Sequence, residues 1–155
     1  MPERFSWILP DQLAVGSVPN ASASTFYLRR VGITAVLTLT EATEIELPKD
    51  LSSNFLWQRM PIPDGFKGGV PDVEQFAQAM AILQQWFKKR HTVYVHCLAG
   101  VGRSASVCAL YLTQSQNLPL EAAIAEVKRC HSYAHPDHHQ VRVMQAYLQA
   151  QQVNS

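Results

Sequence analysis

Cys97 and Arg103 are separated by five residues in the run His96-Cys97-Leu98-Ala99-Gly100-Val101-Gly102-Arg103-Ser104. A loop of that length closes around a tetrahedral oxyanion when its backbone N–H groups turn inward, and Gly100 and Gly102 give the chain the freedom to do so. The apolar run before it reads as a strand. The apolar run after it reads as a helix, whose N-terminal partial charge points at the same spot. Leu98, Ala99, Gly100, Val101 and Gly102, with the Arg103 side chain, are therefore the candidate phosphate-binding set, and Cys97 lies beneath the phosphorus. A helix N-terminus and a nearby cation favour the thiolate of a cysteine, the form that attacks. Arg103 can hold two phosphoryl oxygens bidentately, and holds them harder as charge spreads over the equatorial oxygens in the transition state. Ser104 opens the helix, where its hydroxyl can donate to the sulfur as that sulfur leaves a phosphocysteine. His96 is assigned a supporting task, hydrogen-bonding the loop backbone and holding Cys97 in place. A buried cysteine after a strand is ordinarily a small core residue. The conjunction of strand, His-Cys, two glycines, Arg-Ser and helix is what points to chemistry.

A leaving alkoxide or phenolate needs a proton as its P–O bond breaks. Asp64 is the candidate acid, in Met60-Pro61-Ile62-Pro63-Asp64-Gly65. Two prolines stiffen the approach, and Gly65, Gly68 and Gly69 loosen the exit, as suits a catalytic loop with a fixed arm and a mobile tip. Pro-Asp-Gly is also an ordinary turn. The Cys loop 33 residues downstream, with a helix and a strand between, favours the acid.

These groups need elements to position them. Residues 5–9 and 13–17 read as two short strands joined through Pro10-Asp11. Asn20 is the expected cap of a helix over 21–30 that Gly32 ends. Residues 33–39 form a β-branched apolar run, a buried parallel strand. Residues 41–49 are acidic and interrupted by Pro48, and read as an exposed loop; 55–60 is the strand that leads to Asp64. Pro71-Asp72 opens a long helix to residue 90, with Val73, Phe76, Ala77, Met80, Leu83 and Phe87 at helical spacing. Residues 92–96 are the central strand, and the helix over 103–116 is apolar nearly all round, hence buried. Further helices are expected over 119–130 and 136–149. The alternation predicts an α/β fold, a small mainly parallel central sheet flanked by helices, with the Cys loop at a strand's carboxyl end.

The 155 residues fit one domain, 1–155, and 47% hydrophobic content with 16% charged marks an ordinary globule. A net charge of +1 gives no reason to expect nucleic acid or an anionic membrane as partner. No apolar run is long enough to span a bilayer, and Met1-Pro2-Glu3-Arg4 lacks a signal-peptide core. Three cysteines without paired spacing suit a reducing cytoplasm. A cytoplasmic monomer needing no cofactor and no metal is expected.

His96 to Ser104 resembles the His-Cys-x5-Arg-Ser/Thr signature of the cysteine-dependent protein tyrosine phosphatases. Over residues 5–150 the layout resembles their small, atypical dual-specificity members, through Phe5-Ser6-Trp7, Leu9-Pro10, Leu39-Thr40-Glu41 and Pro61-Ile62-Pro63-Asp64. The resemblance implies Cys97 as nucleophile, Arg103 as phosphate clamp, Asp64 as acid and Ser104 as the hydroxyl that releases the thiolate. It implies phosphoprotein substrates. The chain looks too short for the extra loops that deepen the slot of large tyrosine-specific relatives, so phosphoserine and phosphothreonine should also reach Cys97. Phenolate is the better leaving group, which favours phosphotyrosine. Such relatives often carry Arg-Pro and an Ile-Glu-Thr-like stretch before the last helix. Here His131-Ser132-Tyr133-Ala134-His135-Pro136-Asp137-His138-His139-Gln140 stands instead, and no catalytic role is carried over to it.

Three rival functions use the same residues. A phosphoinositide phosphatase is disfavoured by the uncharged interior of the Cys loop, which attracts a polyanionic head group weakly. A catalytically weak phosphoprotein-binding module needs neither thiol nor acid. A rhodanese-type sulfur transferase has no use for Asp64 or the Arg-Ser ending. His135, His138, His139 and Asp137 lack the geometry of a metal site, because Pro136 interrupts any helix through His135 and His139. Cys108 and Cys130 are read as packing residues rather than disulfide partners for an oxidised Cys97. Lys88-Lys89-Arg90 reads as a solvated helix end, and Trp7, Trp57 and Trp86 as core or core-edge residues.

Overall fold

Leu13-Ala14-Val15, Ala35-Val36-Leu37 and Val93-Tyr94-Val95 are buried without interruption. Strands covered on both faces must be apolar on both, so the period-2 alternation of a half-exposed sheet is missing. The alternation survives as a division between two cores. Leu13, Val15, Ala35, Leu37, Val93 and Val95 point into the larger one, and Ala14, Val36 and Tyr94 into the smaller.

The computed structural model describes residues 1–153. Its strands are β1 (Phe5–Leu9), β2 (Leu13–Gly16), β3 (Ala35–Thr38), β4 (Leu56–Arg59) and β5 (Val93–His96). They form one sheet in the order β1-β2-β5-β3-β4. β1 runs antiparallel to β2, and the pairs β2–β5, β5–β3 and β3–β4 are parallel. The helices are α1 (Ser22–Arg30), α2 (Leu51–Asn54), α3 (Val73–Lys88), α4 (Arg103–Ser115), α5 (Leu120–Cys130) and α6 (His138–Val153). Leu28 of α1 and Leu51 of α2 fill the smaller core with Ile33 and Phe55. Phe76, Met80 and Leu83 of α3, Val107 and Leu110 of α4, Val127 of α5 and Met144 of α6 fill the larger. This is the α/β architecture that the strand–helix alternation predicts. α4 is apolar nearly all round because it is buried over most of its length.

β5 is last in sequence yet lies between β2 and β3, so the carboxyl ends of the parallel strands open around its own end. Val18 after β2 donates its N–H to the Leu98 carbonyl at 3.0 Å, and Leu39 after β3 donates to the His96 carbonyl at 3.0 Å. Ile62 after β4 is tied to Leu39 at 2.9 Å.

Several boundaries differ from expectation, each for a local reason. α1 starts at Ser22, and Asn20 does not cap it; the Asn20 amide oxygen accepts from the Ser24 hydroxyl at 3.4 Å instead. α2 is a single turn, too short to show helical periodicity in the sequence. α6 begins two residues later than expected. Asp137 and Gln140 form a reciprocal cap, each backbone N–H reaching the other's side-chain oxygen at 2.8 Å. The Asp72–Gln75 pair opens α3 in the same way.

Candidate active site

The carbonyls of the Cys loop explain its shape. The Cys97 carbonyl faces His96 Nδ1 at 3.0 Å, Leu98 accepts from the Val18 N–H at 3.0 Å, and Ala99 accepts from Arg4 Nη1 at 3.1 Å. Gly100 faces His131 Nε2 at 2.8 Å, Val101 accepts from the His135 N–H at 2.7 Å, and Gly102 accepts from the Ser106 hydroxyl at 2.7 Å. Every carbonyl from 97 to 102 is thus held outward by a group outside the loop. In a planar trans peptide the following N–H points the opposite way, so the N–H groups of 98–103 converge inward on the ring's centre. Six N–H groups and the start of α4 make an anion cradle. Gly100 needs to be glycine, with φ +73° and a Cβ that would sit 2.6 Å from the Gly16 carbonyl carbon. Gly102 has ordinary φ; its missing Cβ makes room for the Gln140 amide, 2.7 Å from where that Cβ would be.

Two buried imidazoles brace the ring. His96 is fully buried, and burial pushes its pKa down to about 4, so it is neutral. The Cys97 carbonyl can only accept, so the proton sits on Nδ1 and Nε2 accepts from the Thr38 hydroxyl at 2.7 Å. Thr38 Oγ1 in turn accepts from the Trp57 indole N–H at 2.9 Å. His131, at the end of α5, is also held neutral by burial. Its Nε2–H donates to Gly100, and its Nδ1 accepts from Ser6 Oγ at 2.7 Å. Nothing in the sequence marks His131 for this task, since its partners lie 31 and 125 residues away.

Arg103, 3% exposed, is committed on one side and open on another. Its Nη1 donates to Glu44 Oε2 at 2.8 Å and to the Ile62 carbonyl at 3.0 Å, and its Nη2 donates to Glu44 Oε1 at 2.9 Å. A guanidinium has five N–H donors. The two left over are Nε–H and the second Nη2–H, which lie along one edge and form a fork for two oxygens. Burial raises the Glu44 carboxyl, but the bonds from Arg103 and the Glu41 N–H outweigh it, and its pKa falls below the ordinary value. The segment 41–49 is therefore not simply an exposed loop. Its Glu44 side chain is 6% exposed because a buried guanidinium needs a counter-ion.

The structure brings Asp64 to the same place. Its Oδ1 caps a 3-10 turn, Gly65–Lys67, by accepting from the Phe66 N–H at 3.0 Å, and its Oδ2 lies 3.7 Å from Arg103 Nη2. Ser104 Oγ is 3.2 Å from Cys97 Sγ. Asp64, Cys97, Arg103 and Gln140 share one pocket with Phe66 and Asp137 on its walls. Gln140 is 2% exposed and belongs to the segment that was assigned no role. Of the residues left aside, His138 and His139 lie in the first turn of α6, and Cys108 and Cys130 are free thiols. A thiol beneath an N–H ring, a fork beside it and a carboxyl above it can carry a phosphoryl group from oxygen to sulfur.

Residues 2–154 match the family described as Swiss Army Knife protein, DSP-PTPase phosphatase domain. The chain belongs to this family. Over that span its domain is of the small atypical dual-specificity type within the cysteine-dependent tyrosine phosphatase superfamily. Among curated proteins it is 31% identical over 126 residues to the phosphatidylglycerophosphate phosphatase PTPMT1 of Arabidopsis thaliana, covering 80% of this chain and 37% of that protein. It is 29% identical over 130 residues to dual specificity protein phosphatase 1-A of Xenopus laevis, covering 84% of this chain and 33% of that one. The chain thus spans about a third of the length of these relatives. The crystal structure of Tk-PTP in its active form superposes with a TM-score of 0.82 at 26% identity, over 95% of this chain and 97% of that one.

Proposed function

We propose that the chain hydrolyses phosphomonoesters on proteins through a phosphocysteine at Cys97, phosphotyrosine ahead of phosphoserine and phosphothreonine. The observation that carries this is the Cys loop with all its carbonyls from 97 to 102 turned outward above Cys97. The substrate's phosphoryl oxygens take the inward N–H groups and the Nε/Nη2 fork of Arg103. Sγ attacks phosphorus in line; the P–S bond forms as the P–O bond breaks, and Asp64 gives its proton to the departing oxygen. Water then attacks the phosphocysteine and passes a proton to Asp64. The sulfur leaves as thiolate, receiving a hydrogen bond from Ser104. Glu44 keeps the fork of Arg103 aimed, and His96 and His131 keep the ring in shape. The apolar wall offered by Phe66, Leu98 and Val101 suits an aryl ring, and phenolate is the better leaving group.

A lipid phosphomonoester is the second reading, favoured by the 31% identity to a relative named as a phosphatidylglycerophosphate phosphatase. The test compares kcat/KM for a phosphotyrosyl peptide, its phosphothreonyl counterpart, phosphatidylglycerophosphate in mixed micelles and a short-chain phosphoinositide. The protein assignment expects the phosphotyrosyl peptide to lead. A lipid ahead by tenfold, about 1.4 kcal/mol of transition-state preference, overturns it.

A further inference from the structure

On the far side of the Glu44 loop lies a second pocket, of about 260 Å³, close to the ~300 Å³ at which ligand pockets begin. Ile45, Leu47 and Pro48 form one wall, Trp57 and Arg59 of β4 the other, with Lys49 and Glu46 exposed at the rim. Arg59 is the unusual member. Its Nε is sealed from solvent with no hydrogen-bond partner, and among the described residues its guanidinium makes no ion pair; its neighbour is the Trp57 ring, 5.5 Å away. A buried donor left unpaired is costly, more so when charged. The other two orphaned buried atoms, Thr40 Oγ1 and Asp50 Oδ1, belong to the two residues that flank segment 41–49. Neither of those two residues lines the pocket; Arg59 alone does.

Both walls lead to the reaction centre. Ile45 and Glu46 line this pocket while Glu44 beside them turns the other way to hold Arg103. Trp57 donates to Thr38, Thr38 to His96, and His96 to the Cys97 carbonyl. The charge of Arg59 is also felt at His96, where it helps keep the imidazole neutral.

We propose that this pocket is an accessory binding site for a small amphiphilic oxyanion, a carboxylate or phosphate on an apolar body, with the anion on Arg59 and Lys49 and the body against Trp57, Ile45 and Leu47. Two cations line the pocket against the one lining carboxylate of Glu46 and set the sign of the ligand, and Arg59 brings a guanidinium without an ion pair among the described residues. The site is separate from the phosphoryl cradle and goes beyond the proposed hydrolysis.

The test uses 2-naphthoate as probe and the full chain, watching the Trp57 indole N–H by 15N NMR, assigned with Trp57→Phe. A saturable shift of that resonance is expected, with vanadate in the cradle leaving it in place, and with the His96 ring signals shifting along the same curve. Arg59→Gln should raise the apparent Kd at least tenfold. Lys49→Glu, at an exposed position, should weaken binding as well, and supplies the answer if Arg59→Gln does not fold. Absence of a saturable shift up to 10 mM naphthoate, displacement of the probe by vanadate, or an unchanged Kd in the folded variants would overturn the proposal.

Discussion

Glu44→Gln is the most informative single change, because it tests a residue whose only visible function is to aim another. The substitution keeps the volume and removes the charge. Arg103 and Glu44 are 3% and 6% exposed, so the guanidinium would be left buried without its counter-ion. Breaking a buried pair in this way costs about 3–5 kcal/mol. Asp64 Oδ2, only 3.7 Å from Nη2, can take over part of the pairing, so the loss of stability should lie near the lower end, about 3 kcal/mol. That rescue harms catalysis twice. The Nη2–H of the phosphate fork is drawn towards Asp64, and the Asp64 carboxyl is drawn away from the leaving oxygen. Losing one positioned donor costs about 10²–10³ in kcat. The loss should be larger for phenyl phosphate than for p-nitrophenyl phosphate, which leaves without help. Glu44→Gln combined with Asp64→Asn should fall short of the product of the single effects, since both act on one contact. Urea unfolding gives the stability and steady-state kinetics with the two esters gives the rest. A folded Glu44→Gln protein with kcat within twofold of the parent, or with the same loss for both esters, would refute this account of Arg103.

His96 should make stability depend on pH. Its folded pKa is about 4 against 6.5 unfolded, so between those values the unfolded chain binds a proton that the native state refuses. The contribution is fully present above pH 6.5 and is lost progressively as pH falls to about 4, amounting to about 3 kcal/mol. Urea midpoints across that range should fall with pH, and His96→Asn should flatten the slope by up to one proton; an unchanged slope would show that His96 is charged in the native state. Ser104→Ala removes the donor 3.2 Å from Sγ, so it should slow release of the thiolate more than its formation. A burst of p-nitrophenol equal to the enzyme concentration, followed by slow turnover, is the expected trace, and a uniformly slowed reaction without a burst counts against that role.

Much of the site could be read from sequence because its chemistry is local. Cys97, Arg103 and Ser104 lie within one strand–loop–helix unit, and Gly100 states the loop's turn directly, whereas Gly102, at ordinary φ, is there to leave room for the Gln140 amide. Asp64 was legible through the prolines before it and the glycines after it. The inner strands β2, β3 and β5 stood out because burial on both faces makes their apolar residues continuous. Glu44 left no such trace: a glutamate in a polar stretch reads as solvated, and its burial depends on an arginine 59 residues later. His131 and Gln140 were hidden for the same reason. Each meets the Cys loop only after α5 and α6 have packed on α4, and no periodicity encodes that meeting. Asn20 was misread because a good capping residue one place too early looks like a cap, while the helix starts from Ala21 without one.

The account rests on a covalent bond between Cys97 and phosphorus. Rapid acid quench of the enzyme during turnover of a 32P-labelled phosphotyrosyl peptide, followed by peptide mapping, tests it directly. The expected result is one phosphoryl group on the peptide that contains Cys97, accumulating further in Ser104→Ala and absent in Cys97→Ser, which should still bind tungstate. Turnover by Cys97→Ser, or label found on another residue while Cys97 stays free, would contradict the central claim.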